Sequence, residues 1–448
     1  MTPTPEKTPA LKEMPPKDPK AKAAPAKGKA PASGGSQSAA LLRTMLGKLG
    51  VKPIETAAST MPHVASGSII IDNLIGGSKT LDGKGSVCPG YPRRKITEIY
   101  GPESSGKTTV ALAAAAKVQR EGGSVLYIDF EHALHHGYAQ QIGVRFDETW
   151  TLIAPDTMED GFKFMYLAIA AGVDLIIVDS VAAMVPKDEL EKKIDDIAKI
   201  GAVAKKMSET LPKFALWLMK HPMEGAGENK KPKKDAKGTA LILLNQERAA
   251  ISTGGGGHGQ PEPNTAGGKA LKYFAYVRLR LQRLSSETIE RKDPINGKKR
   301  KFPYGNTTLV KMVKSKADAK QGHSATIFIR YGYGVDDAYS VIESGVSTGV
   351  FRRDGAYYQY GEQRIQGRDK FRLFLISNPS LFEEVKAKVA EAIIEAAPTA
   401  IPDEEISDED AIMEGLADDL GESVDSTKEE VIDAEDTAEM ASLGGDGE

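Results

Sequence analysis

Apolar positions recur along this chain in two rhythms. Residues 95–100 (KITEIY) alternate apolar and polar in the manner of a buried strand. Residues 124–129 and 151–153 read as further strands. Residues 175–179 (LIIVD) and 240–245 (ALILLN) are almost unbroken apolar runs, the pattern of strands covered on both faces. Between them, residues 110–117, 131–142, 161–171 and 199–220 read as helices, the last with a kink or restart expected at Pro212. Such alternation predicts a parallel sheet with helices on both sides. From Tyr273 the period shortens to two, and residues 276–284, 307–313 and 325–330 alternate like strands that extend the sheet. From about Asp336 it changes again. Residues 339–345 and 381–396 look helical, with short Tyr-rich strands around 356–360, which suits a small α+β domain. Before the first strand, residues 39–49 read as a short helix (Leu41, Leu42, Met45, Leu49), 66–76 as a strand edge or a helix on the core, and 77–92 as a loop. No internal repeat is visible.

Composition sharpens this picture at the ends. Residues 1–37 are Pro, Ala and Lys with almost no large apolar side chains, so they are expected to be disordered. From Asp403 onward there are 19 acidic residues and one basic residue, a charge of −18. The rest carries 58 basic against 43 acidic residues, +15, so the net −3 of the 448-residue chain hides a strong asymmetry. A basic body with an acidic tail suggests a polyanion-binding surface and a mimic of that polyanion, or else a merely solvating tail. A single cysteine, Cys88, rules out an intramolecular disulfide and fits a reducing cytoplasm. Neither a membrane-length apolar run nor the hydrophobic core of a signal peptide is seen, so a cytoplasmic protein with no membrane partner is expected.

The chemistry centres on Gly101, Pro102, Glu103, Ser104, Ser105, Gly106, Lys107, Thr108 and Thr109, which spell GxxxxGK[ST] between a strand and a helix. In that context backbone N–H groups and a helix N-terminus wrap phosphate oxygens, the lysine supplies a point charge, and Thr108 offers a hydroxyl to Mg²⁺. Asp179, ending an apolar strand, would hold Mg²⁺ through water. Glu131, two residues past the strand end at Asp129, can polarise an attacking water or be a surface glutamate. Gln246, beside Asn245 at a third strand end, can sense a γ-phosphate or be an ordinary satisfied amide. Gly267, Gly268 and Lys269 close a long glycine-dense segment and offer amides and a cation to phosphates, or belong to a plain surface loop. Lys314 and Lys316 are two apart on a strand and so share a face, suited to phosphate or simply solvated. His132, His135 and His136 lack the cysteine or paired carboxylates that a metal site needs.

The stretches GPESSGKTT, YIDFEHAL, YAQQIGV, LIIVDSVAAMVPK, the Asn245-Gln246 pair followed by Arg248, and GGKALKYFAYVRLRL closely resemble, in order and spacing, the bacterial and phage RecA recombinase family. The resemblance runs over roughly residues 41–397, including GAYYQY and RIQGRDKFRLFLISNP, and the acidic tail is similar in kind. It implies an α/β fold: a RecA-type P-loop ATPase core with a mostly parallel sheet extended by antiparallel strands, plus a small α+β C-terminal domain. The division it implies is a disordered arm (1–37), an N-terminal helix and linker for subunit docking (38–60), the ATPase core (61–335), the C-terminal domain (336–400) and a disordered acidic tail (401–448). It further implies helical filaments on single-stranded DNA, DNA-dependent ATP hydrolysis, and homologous pairing and strand exchange in recombination and repair. ATP and Mg²⁺ are the implied cofactors. Single-stranded DNA, a homologous duplex, further copies of the chain, and single-strand-binding and mediator proteins are the implied partners.

By position, Glu131 resembles the family's catalytic glutamate, acting with Lys107 and with Gln246 as γ-phosphate sensor, and Tyr138 its adenine contact. Lys314 and Lys316 resemble the lysines that reach the neighbouring subunit's ATP, with Tyr331 joining that interface. Lys187 opens a stretch (187–197) similar to the first DNA loop. Lys205 and Lys213 follow it, and Arg248, Gly267, Gly268 and Lys269 belong to or adjoin the second (247–266). Three departures stand out: His135 replaces an acidic residue, the second loop is glycine-rich without its usual aromatic, and Pro212 stands where an arginine is expected. Insertions at 77–87 and 223–238 mark a divergent member. A ring-shaped helicase or RadA-like motor and a non-hydrolysing DNA scaffold are the competing readings. The C-terminal domain and paired lysines argue against the first, and the intact Lys107, Glu131 and Asp179 against the second.

Overall fold

The structure is a computed structural model that describes residues 60–80, 86–192, 201–220, 222–224, 231–232, 237–248, 264–292, 297–318 and 321–396, together with Leu41, Leu42, Thr44, Met45 and Lys48. The chain divides into two compact units, residues 1–57 and 58–448. In the first unit the five described residues are helical, inside the helix expected at 39–49. The Lys-rich arm, the acidic tail, residues 193–197 of the first loop and 249–263 of the second lie outside the described residues.

The second unit is built on one ten-stranded sheet. Its strands are β1 (Ile96–Gly101), β2 (Val125–Asp129), β3 (Trp150–Ile153), β4 (Leu175–Asp179), β5 (Ala240–Arg248), β6 (Val277–Lys292), β7 (Lys299–Ser315), β8 (Ser324–Arg330) and β9 (Gly334–Val335), in the spatial order 9-8-7-6-1-5-4-2-3, with Asn264–Thr265 pairing on β5. β1 to β6 are mutually parallel, and β7 to β9 add on antiparallel. Successive residues of each central strand feed opposite cores. Ile99, Tyr127, Ile177 and Ile242 face one, under α2 (Lys107–Arg120). Ile96, Ile128, Ile176 and Leu243 face the other, under α4 (Met158–Ala171) and α5 (Ala202–Lys220). Burial on both faces explains the unbroken apolar runs. A third core joins α7 (Asp337–Ser347), α8 (Arg368–Ile376) and α9 (Pro379–Ala396) to three short strands, Arg352–Asp354, Tyr357–Tyr360 and Gln363–Gln366. Helix α1 (Ile69–Gly76) ties the cores together: Ile69 enters the third, while Ile71, Leu74 and Ile75 enter the first.

Four expectations are corrected. The helix foreseen over 131–142 begins only at His136, as α3 (His136–Ile142). The Asp129 carboxylate takes the amides of Glu131 and Leu134 (3.1 and 3.0 Å), holding a turn, and His135 Nδ1 then caps the helix by accepting from the Tyr138 amide at 2.9 Å. Pro212 does not restart a helix: α5 runs through it from Ala202 to Lys220, anchored by buried Met207, Leu211, Phe214 and Leu218 on either side. The strands expected at 276–284 and 307–313 are parts of a far longer hairpin, 16 and 17 residues, whose outer part is exposed. Finally, α8 was not foreseen as a helix, because only Phe371, Arg372 and Leu375 of it are buried.

Candidate functional site

Parallel order brings the carboxyl ends of β1, β5, β4 and β2 together, and each carries one expected residue. β1 runs into the phosphate loop. Gln246 on β5 pairs in register with Gly101, and Asp129 on β2 pairs with Asp179 on β4. In open α/β sheets this edge is where ligands bind. The loop needs its glycines. Gly106 has φ +95°, and a Cβ there would come within 2.2 Å of Ile329 Cδ1. Ser104 is also held at positive φ (58°), as tight anion cradles require.

Lys107 opens α2 and folds back, its ammonium donating to the carbonyls of Gly101 and Pro102 at 3.1 and 2.8 Å. Burial lowers its pKa, opposed by Asp179 and Glu131. Thr108 Oγ1 and the Tyr127 hydroxyl both donate to Asp179 Oδ2 at 2.7 Å. Burial raises the Asp179 pKa, with Glu131 and Asp129 adding like-charge repulsion against the two donors. A buried carboxylate under that repulsion, touching a threonine hydroxyl, offers the hard oxygen donors that Mg²⁺ takes. Among the described residues no group of three or more His, Cys, Asp or Glu could hold a metal; an ion held by Thr108 and Asp179 would take its remaining ligands from water and phosphate. Glu131 is exposed beside them, and its Oε1 accepts from Ser180 Oγ at 2.5 Å.

A cavity of about 220 Å³ opens from the loop, lined by Gly106, Thr109, Tyr138, Asn306, Ile329 and Tyr331 among others. Thr109 Oγ1 and the Tyr138 hydroxyl are 2.8 Å apart, which holds Tyr138 beside the phosphate loop. Tyr331, expected at the neighbour's nucleotide, also lines this cavity through the turn after β8, and its hydroxyl accepts from Arg283 at 3.1 Å.

Behind the phosphate loop lies a buried network that sequence reading missed. Glu98 on β1, fully buried, accepts from Arg278 Nε on β6 at 2.5 Å and from Asn245 Nδ2 on β5 at 2.9 Å. Asn245 also donates to the Ala266 carbonyl at 2.8 Å, where the chain returns from the glycine-rich segment. Only the strand alternation of 95–100 pointed at Glu98, as a polar residue on an apolar strand. Arg278 is the cross-strand neighbour of Lys314. The Lys314 ammonium donates to the carbonyls of Lys272 and Tyr273 at 2.6 and 2.9 Å, closing the C-terminal end of α6 (Gly268–Phe274). Desolvation, then Lys316 and Arg278, push its pKa down to about 8. Lys316 lies 5.5 Å over the Tyr273 ring.

The expected DNA residues are partly gathered. Gly268 meets Ala204, one residue before exposed Lys205, so the α6 start lies against α5. Lys205 lines a depression of about 380 Å³ with Lys192 and Lys206, next to the short helix that Lys187 opens. Exposed Lys269 follows Gly268. Lys213 is eight residues further along α5, about 12 Å away by helical rise. Arg248 is described through its backbone, which pairs with Asn264.

A family model described as the RecA N-terminal domain matches residues 55–336, and one described as the RecA C-terminal domain matches 339–394. Among similar proteins, the "Protein RecA" of Desulforapulum autotrophicum is 36% identical over 354 residues, covering 79% of this chain and 88% of its own length. That of Enterococcus faecium is 36% identical over 365 residues, covering 81% and 91%. That of Nocardioides sp. is 40% identical over 332 residues, covering 74% and 82%.

Proposed function

The chain belongs to the RecA family, whose members act in homologous recombination and DNA repair, and on that premise we propose a DNA-dependent ATPase that forms filaments on single-stranded DNA and exchanges strands with a homologous duplex. The observation that carries the ATPase reading is the meeting of the phosphate loop, Glu131, Asp179 and Gln246 at four adjacent strand ends. The loop amides and Lys107 hold the β- and γ-phosphates, the ammonium exchanging its two carbonyl partners for phosphate oxygens. Thr108 and Asp179 hold Mg²⁺, which when bound neutralises charge on those oxygens. Glu131, oriented by Ser180, accepts the proton of the attacking water. Gln246 reports the γ-phosphate from the strand beside the loop. Tyr138 and Tyr331 flank the base in the same chain's cavity.

The second half of the proposal is coupling. DNA lies against Lys187, Lys205, Lys213, Arg248 and the start of α6, at Gly267, Gly268 and Lys269. The other end of α6 holds Lys314, and Asn245 joins the return of the second loop to the strand of the sensor. An ordered second loop thus fixes α6 and frees Lys314 and Lys316 for a neighbouring subunit's ATP. The division into arm (1–37), docking segment (38–60), core (61–335), C-terminal domain (336–400) and tail (401–448) belongs to the same reading.

The test pairs two assays on the full chain. ATP hydrolysis is measured with and without single-stranded DNA, and strand exchange with homologous and non-homologous duplex. Hydrolysis indifferent to DNA, or unchanged in Lys107→Ala, would overturn the ATPase reading. Hydrolysis without homology-dependent exchange would reduce the protein to a DNA-stimulated motor.

A further inference from the structure

An ion pair spans the strand that feeds the phosphate loop. Arg280 on β6 donates from Nε and Nη2 to the two carboxylate oxygens of Glu247 on β5, at 2.9 and 2.7 Å. Such a two-pronged contact fixes direction as well as distance. Strands β5 and β6 are not neighbours, because β1 lies between them. Arg280 is in register with Tyr100 on β1, and Gly101, the last residue of β1, with Gln246 on β5. The pair therefore reaches across β1 just where that strand runs into the phosphate loop. Side chains alone bridge two strand spacings, about 10 Å. Both side chains are half-buried, so water screens the pair less than at the open surface. Glu247 stands between Gln246 and Arg248, and the chain returning from the glycine-rich segment pairs there: Thr265 is opposite Glu247, and Asn264 opposite Arg248. Against the burial that lowers the Lys107 pKa, Glu247 acts beside Asp179, Glu131 and Glu103.

We propose that Arg280 and Glu247 are positioning residues, a clasp that fastens the stem of the second loop to the sheet and so sets Gln246 against the γ-phosphate when DNA orders that loop. Both act through Gln246. Glu247 follows Gln246 on an extended strand, so a Glu247 held from β6 leaves Gln246 little freedom to move. Asn245 fastens the same strand to the loop's return through the Ala266 carbonyl, and the clasp adds a hold on the opposite side of β1. With both in place, an ordered loop and the sensor move as one piece. The inference rests on the functional reading, in that a DNA-dependent ATPase has a loop signal to carry to its nucleotide.

The test is a double-mutant cycle on the full chain: wild type, Arg280→Gln, Glu247→Gln and the two together, with Arg280→Lys as the conservative variant. Turnover is measured at saturating ATP and saturating single-stranded DNA, beside KM for ATP and thermal midpoints. Each single glutamine variant should lose roughly tenfold to a hundredfold in DNA-stimulated kcat, the scale of a misplacement of about 1 Å, with KM for ATP unchanged. The double variant should lose no more than either single, because the same clasp is broken in all three. Arg280→Lys keeps the charge but not the fork, so it should fall between wild type and Arg280→Gln. Midpoints should stay near wild type, because a partly exposed pair adds little stability. Losses that multiply in the double variant would overturn the clasp, as would wild-type kcat in both singles. Turnover recovered at higher DNA concentration would make Arg280 a DNA contact and overturn it. A raised KM for ATP together with a lowered midpoint would make the pair purely structural, and would overturn it too. If wild type hydrolysed ATP indifferently to DNA, the functional reading would fall and the clasp with it. A wild type that responds to DNA, beside variants that respond equally, would sink the clasp alone.

Discussion

Glu131 is held from two directions. Its amide is bonded to the Asp129 carboxylate, and its own carboxylate accepts from Ser180. An oriented base of this kind contributes about 10²–10⁴-fold to a proton transfer. Glu131→Gln should therefore keep nucleotide and DNA binding and slow hydrolysis by that order. Ser180→Ala should lose less, because it frees the carboxylate without removing it. Steady-state turnover beside equilibrium nucleotide binding separates the two effects, and wild-type turnover in Glu131→Gln would remove it from catalysis. At this scale the sequence was legible where chemistry is contiguous. The loop from Gly101 to Thr109 and the strand ends at Asp179 and Gln246 announce themselves by local pattern. Ser180, Tyr127 and Glu98 do not, because their partners are 49, 52 and 180 residues away. The meeting of Tyr331 with Gly106 is hidden for the same reason: only the fold of β8 over the phosphate loop brings both to one cavity.

Central strands were readable because burial on both faces leaves no alternative pattern, whereas the outer part of the β6–β7 hairpin was not. Beyond Leu281 most residues of β6 are exposed and polar on both faces, so no apolar alternation marks them. Helix α6 gives the clearest element-scale test. If Lys314 leaves its carbonyls for a neighbour's ATP, Lys314→Ala should lose DNA-stimulated hydrolysis while the subunit still folds. Mixing Lys314→Ala with Glu131→Gln subunits should restore part of it, since some interfaces then combine an intact lysine with an intact glutamate. No recovery where mixed filaments form would count against action across the interface. A second test lies where α1 meets α7 and α9. Asp72 keeps some exposed surface, but its carboxyl accepts from the Ser66 amide at 2.7 Å. It also faces buried Cys88 and Tyr91, with Asp337 and Lys386 nearby. Burial raises its pKa from 3.8 to about 7. The folded chain keeps this proton to about pH 7, while the unfolded chain releases it near 3.8. Stability from this group is therefore full below 3.8, falls as pH rises, and is lost above about 7. Asp72→Asn should flatten that fall and gain on wild type at pH 8 relative to pH 5, read as urea midpoints. Equal midpoint shifts between the two pH values would deny the buried proton.

At the scale of the whole molecule, charge is divided along the chain. Residues from Asp403 carry −18 against +15 for the remainder. Such a tail should compete with DNA for basic side chains by Coulomb attraction, and the competition should weaken as salt or Mg²⁺ screens it. The cations are spread over separate places: Lys187 beside the first loop, Lys192, Lys205 and Lys206 in a depression they share with Asp188, Glu189 and Glu209, and Arg291, Lys292, Lys299 and Arg300 at the outer end of the β6–β7 hairpin. Composition revealed the asymmetry but could not place the cations, because only the fold decides which lysines share a face. Duplex DNA should feel the tail more than single strands, which gain base contacts inside a filament. Deleting residues 403–448 should therefore speed duplex binding and lower the Mg²⁺ needed for strand exchange. ATP affinity without DNA should be unchanged, since the phosphate loop supplies its own charges and Lys107 already lies on it. The measurement is duplex association by stopped flow across a salt series, for full-length and shortened chains. The gap between them should be widest at low salt and close as the Debye length falls from about 10 Å at 0.1 M toward 3 Å at 1 M. Identical association at every salt concentration would leave the tail a solvating appendage with no hold on the body.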